Sequence, residues 1–167
     1  MLVSSFERQR SFAVHEGLLK ERSEFFTNAL KPERFKEGIE RVVSMPEDDP
    51  DIFAVYIQHL YRPDLMSVDR KLNGEEIEQK YMCLADLYVL AEKLIDTKTK
   101  EHVSHALKSL MQKSVISLAV VFPIYDGTLK NDPARALIVD WFTRYAKGGW
   151  FKNMDVGEHE QFFRDLA

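Results

Sequence analysis

His15 sits in the run FAVHEGLLKERSEFF, residues 12–26, between an alternating apolar stretch and a helical spacing, and Ser23 follows in the same run. Together with an acid such as Asp86, these two would serve acyl transfer if the fold brought them together. The elbow pattern GxSxG that usually presents such a serine is absent. Ser23 instead stands where a helix cap would, directly before Glu24. A polar ring at a junction such as that of His15 can bond backbone groups that neither flanking element satisfies.

His102 and His105 stand three apart, as neighbours on one helix face do. Two imidazoles are too few for a structural zinc site, and no cysteine stands near enough to complete one. His159, between Glu158 and Glu160, reads as a surface residue. The acidic run Glu47-Asp48-Asp49 with Asp51 lacks calcium-loop spacing and is interrupted by Pro50. There is no GxGxxG and no P-loop. No catalytic residue, cofactor or metal is expected from these motifs.

The totals narrow the class further. A chain of 167 residues supports one domain with a sizeable core, or a domain with a helical annex. Its net charge of -4, with no long basic run, argues against nucleic acid as the main partner. Cys83 is the single cysteine, which excludes an internal disulfide and suits a reducing, intracellular compartment, cytoplasmic or nuclear. The N-terminus MLVSSFERQR carries charge too early for a secretory leader. The longest apolar stretch, VISLAVVFPIY, is too short to span a membrane and contains Pro123.

The elements that would position these residues follow from periodicity. Leu2 to Phe6 and Phe12 to His15 read as two strands with a turn near Gln9-Arg10, and Arg41 to Met45 as a third. Helical spacing begins after His15, and Pro32 closes the helix that Ser23 caps. Asp49-Pro50 and Asp132-Pro133 are cap-plus-proline starts. The first opens a stripe of Phe53, Tyr56, Ile57 and Leu60; the second, one of Leu137, Ile138, Trp141, Phe142 and Tyr145, stopped by Gly148-Gly149. Residues 75–95 give the clearest helix, and Asp96 or Thr97 caps the next, which carries Val103 to Met111. A helix is also predicted from Val115 to Tyr125 and another from Glu158 to Ala167, with 62–74 as a loop. Strands early and helices late predict an α+β fold with a small sheet of about three strands.

The ordered set of motifs resembles a BTB/POZ domain. FAVHEGLLKERSEFF is similar to its strand ending F-x-V-H, the helix with L-L, and the S-x-F-F that opens the next. Phe35-Lys-Glu37 and VVSMPEDDP resemble its third strand and following loop, and Phe53 to Tyr61 its next helix. LADLYVLAEKLID, residues 84–96, resembles its most recognisable helix. ARALIVDWF, Trp150-Phe151 and EQFFRDLA are similar to the helical extension of fungal members. The resemblance implies a BTB/POZ-like domain over residues 1–112 and a helical extension over 113–167 packed on it.

It implies a protein-interaction adaptor, not an enzyme, with a partner that is a second copy of the chain, as a homodimer, or a cullin scaffold of ubiquitin ligation. His15, Ser23, Phe26 and Asp86 would then define the fold. Tyr56, His59, Tyr61 and Tyr81 are the candidate partner contacts, beside the loop that follows Tyr61. Only Met1 precedes the first strand, that strand lacks the aspartate many members carry, and Glu16 stands where many dimerising members carry a basic residue, which weakens the expectation of an exchanged dimer. No cullin-contact motif is evident between Met66 and Glu76. The alternative is a small ligand-binding or hydrolytic protein, with His15, Ser23 and Asp86 converging in a cleft beside the extension.

Overall fold

The computed structural model describes residues 2–4, 10–32, 35–66, 72–116, 118–147, 149–151 and 160–167. The predicted positions Ser5, Phe6, Gln9, Gly148, Glu158 and His159, and much of the loop after Met66, lie outside the described residues.

Helix dominates. The order is β1 (Leu2–Ser4), α1 (Glu16–Arg22), α2 (Glu24–Ala29), α3 (Lys36–Glu40), β2 (Val42–Ser44), α4 (Pro50–Tyr61) and α5 (Gly74–Lys93). Then come α6 (Thr97–Lys113), α7 (Val121–Gly127), α8 (Pro133–Tyr145) and α9 (Glu160–Leu166), with single 3-10 turns at Pro63–Met66 and Leu118–Val120. The predicted α+β class with about three strands is therefore corrected to a predominantly helical fold. Among the described residues two three-residue strands form one parallel pair, Val3 opposite Val43. Phe12 to His15, expected as a strand, joins no ladder. Its apolar alternation serves packing instead: Val14 is buried, and the Phe12 ring lies 5.3 Å from that of Phe53 on α4. A short apolar alternation fits either outcome, because both bury every second side chain.

Helix starts follow the local chemistry. Asp49 accepts the Asp51 amide at 2.8 Å with Pro50 in the first turn of α4, and Asp132 accepts the Ala134 amide at 2.8 Å with Pro133 opening α8. Asn73 and Glu76 exchange side-chain bonds with each other's amides at 2.9 and 3.0 Å, a capping box that starts α5. Asp96 takes the Thr99 amide at 2.9 Å to start α6. The predicted helix over 115–125 begins later, as a 3-10 turn running into α7, whose first turn tolerates Pro123.

α5 lies at the centre, packed against α4, α6 and α7. Buried residues from Val14 to Phe162 make up one core, so the helices after position 113 share it with those before. Phe162 of α9 seats among Tyr125, Phe142 and Phe151 at centroid distances of 5.6, 5.3 and 6.4 Å. No described helix is long and apolar enough to cross a membrane.

Candidate docking surface

Three of the four candidate contact residues are interior. Tyr56, His59 and Tyr81 are at most 2% exposed, whereas Tyr61 is 47% exposed. The buried tyrosines keep a polar end satisfied, as burial requires. Tyr81 meets the Ser114 hydroxyl at 3.2 Å. Tyr56 donates to Asp96 Oδ2 at 3.0 Å, and its pKa is driven far above the ordinary phenol value by burial first and by the Asp96 carboxylate second. Tyr88, not foreseen as a polar residue, donates to Asp132 Oδ1 at 2.7 Å, and burial with that bond pushes it to about 12.

Asp96 is the hub of a buried polar knot that joins α1, α4 and α6. Besides Tyr56 and the Thr99 amide it accepts the Thr99 hydroxyl at 2.7 Å, and Arg22 Nε lies 3.6 Å from its other oxygen. Arg22 Nη2 donates to Thr99 Oγ1 at 2.9 Å. His59 borders this knot, its Nε2 3.1 Å from His102 Nδ1. Thus His102 pairs across to α4, not along its own helix with His105. Burial, then His102 and Arg22, lower His59 to about 4, so the ring is neutral at pH 7. His59 Nδ1 is buried without a hydrogen-bond partner among the described residues. The described residues contain no group of three potential metal ligands.

His15 precedes α1, and Tyr61 ends α4. The Tyr61 hydroxyl accepts the His15 amide at 3.2 Å and lies 2.6 Å from its Nδ1, tying the two helix ends together. Ser23, 1% exposed, accepts the Phe26 amide at 3.2 Å and donates to the Leu94 carbonyl at 2.6 Å. That is a cap plus a long-range tie, and both hydroxyl roles are taken. Phe26 is fully buried beneath it. Asp86 lines a separate hollow of about 320 Å³ between α4 and α5, together with Glu47, Asp49 and the Asp48–Lys93 ion pair. Burial, then the Asp49 carboxylate, raise the Asp86 pKa. His15 and Ser23 thus bond to different neighbours, and Asp86 lines a hollow that includes neither of them. A second hollow of about 330 Å³ between α6 and the start of α8 is lined by Lys100, His105, Lys108 and Glu101. Lys100 there is already bound to Glu92 and Asp132.

The outside carries apolar residues, among them Ile95, which helical spacing places on the apolar face of residues 75–95. Ile95 is 50% exposed, and Phe35 and Ile39 are 50% and 73% exposed. Ile95 occupies the position after the α5 cap that glycine usually fills. Its amide reaches the Glu92 carbonyl at 3.0 Å and the Asp96 amide reaches that of Ala91 at 2.9 Å, which closes a Schellman turn. That turn forces Ile95 to φ 53°, a left-handed conformation rare for a β-branched residue. Phe35 and Ile39, four apart, face outward from α3 because its other side is sealed: a Cβ on Gly38 would lie 2.4 Å from the Lys31 carbonyl oxygen.

In comparisons with known proteins, no family model matches this chain and no curated protein matches it.

Proposed function

We propose that this chain is a non-enzymatic protein-interaction module, of the adaptor kind implied by its resemblance to BTB/POZ domains, and that it works through its exterior. The reading is carried by Ile95. A β-branched residue in the left-handed region costs about 1–2 kcal/mol relative to a relaxed backbone, and half of this side chain is still in water. Glycine would close the same turn without that cost. Half of the residue is left exposed, so part of its value lies in contact with another molecule. Aliphatic anchors of this sort fit a protein surface, where a few buried side chains supply most of the binding energy.

The test is co-purification from native cell extract with wild-type chain and with Ile95→Gly. The variant keeps the fold and loses the protein that the wild type retains. An identical retained set would overturn the assignment of Ile95. Recovery of a cullin with the wild type alone would specify the adaptor as one of ubiquitin ligation.

A further inference from the structure

We infer that the hollow between α6 and the start of α8 takes a short polyproline-type segment of a partner protein, with a basic side chain seated at Glu101 and an acidic one, three residues on, at Lys108. This rests on the reading as an interaction module and adds a second contact, away from Ile95, together with the chemistry of what binds there. Three observations carry it. First, the hollow is walled by unused polar groups. It measures about 330 Å³ and takes Thr97, Glu101, Ser104, His105 and Lys108 from α6, with Pro133 of α8 beside them. Among the described residues none of those five α6 side chains has a hydrogen-bond or ion-pair partner in the protein. Other helices close such pairs on themselves at four-residue spacing, as Lys20 with Glu16, Arg144 with Asp140 and Arg164 with Glu160 do. Glu101 and His105 have that same spacing and stay open.

Second, the charges are ordered. Glu101 and Lys108 share a face of α6 and stand about 10.5 Å apart along its axis, seven residues at 1.5 Å each. The floor adds no free cation: the Lys100 ammonium is held by Glu92 and, at 2.9 Å, by Asp132, so two carboxylates meet one ammonium. A simple anion is therefore repelled from the Glu101 end, and the occupant has to bring a positive group there and a negative one to Lys108. Third, the spacing selects a backbone. A polyproline II segment has three residues per turn and rises 3.1 Å each, which puts residues i and i+3 on one side about 9.3 Å apart. A β-strand sends i and i+3 to opposite faces. An α-helix matches the distance at i and i+7, but a cylinder about 10 Å across overfills a hollow of this volume. Polyproline II makes no internal hydrogen bonds, so its carbonyls are open to the hydroxyls of Thr97 and Ser104, which donate.

Amide NMR shifts of the isotope-labelled chain, titrated with the blocked peptide Pro-Arg-Pro-Pro-Glu-Pro, read site and affinity together. The shifts concentrate between Thr97 and Lys108 and at Ala134, with a Kd of about 0.1–1 mM, because exposed ion pairs are individually weak. The uncharged peptide Pro-Gln-Pro-Pro-Gln-Pro binds about fivefold more weakly. Glu101→Lys and Lys108→Glu each weaken the charged peptide by about fivefold, since one attraction becomes a repulsion. The double exchange returns its affinity to within about threefold of wild type, because the peptide then runs the other way along the hollow. A damaged fold cannot produce that rescue. Absence of shifts on α6, an uncharged peptide that binds as well as the charged one, single variants that bind like wild type, or a double exchange as weak as the single variants would overturn the inference. Ile95→Gly leaves the titration unchanged, and a failed titration leaves co-purification through Ile95 untouched, so the two claims fail separately.

Discussion

The neutral, buried His59 makes stability depend on pH in a calculable way. Its folded pKa is lowered to about 4 by burial, His102 and Arg22, whereas the unfolded chain titrates near the ordinary 6.5. Between those values the unfolded chain binds a proton that the folded chain excludes. Stability is therefore lost as pH falls through this window. Integrating the proton difference from pH 7 to pH 4.5 gives a loss of about 2.4 kcal/mol from this group alone. Stopping at pH 4.5 leaves Asp132 ionised in the folded state: burial opposes its charge, but bonds from Lys100, the Ala134 amide and Tyr88 outweigh that and lower its pKa. Urea unfolding at the two pH values, followed by the fluorescence of Trp141 and Trp150, measures the loss. His59→Leu is less stable at pH 7, because it breaks the contact with His102, but its own loss on acidification is smaller than that of wild type by about 2 kcal/mol. Histidines not in contact with His59 are common to both proteins and cancel. Equal losses in the two proteins would refute the burial argument.

Other consequences are as direct. Ile95→Gly is more stable than Ile95→Ala by about 1 kcal/mol in urea unfolding, the reverse of the order within a helix, because both lose the side chain but only alanine keeps the left-handed strain. Gly38→Ala loses about 1–3 kcal/mol by the same assay, since its Cβ collides with backbone, not with a flexible side chain. Tyr56→Phe loses about 1.5–3 kcal/mol, the value of a hydrogen bond to a buried charge, and Asp96→Ala loses more because it strands Arg22 and Thr99 together. Calorimetric melting ranks these variants, and a Tyr56→Phe melt equal to wild type would remove the knot from the account.

What the sequence made legible was local. Ser23, Asp49-Pro50, Asp96 and Asp132-Pro133 all cap helices as their residue types require, and the stripe of Phe53, Tyr56 and Leu60 is buried as its spacing predicts. The Asn73–Glu76 capping box was equally present as a spacing, but Asn73 lay inside the stretch, 62–74, that reads as a loop. What stayed hidden was long-range. Tyr56 and Tyr88 are buried because acids 40 and 44 residues away receive their hydroxyls, and no periodicity reports that. His102 invited pairing with His105 by spacing, yet its partner His59 comes from another helix. Ile95 gave no turn signal, because the residue that adopts the glycine conformation is the one least expected there. Phe35 and Ile39 escaped for a different reason: the resemblance sets Phe35-Lys-Glu37 with a strand, whereas Lys36–Glu40 folds as helix α3 with Gly38 facing inward.

The claim that this protein works by its outer surface at Ile95 is tested most directly by photocrosslinking in the living source cell, with a benzophenone amino acid placed at position 95 or at exposed Lys130. The account predicts a discrete covalent protein adduct from position 95 and none from position 130. No adduct at 95, or the same adducts from both positions, would contradict it.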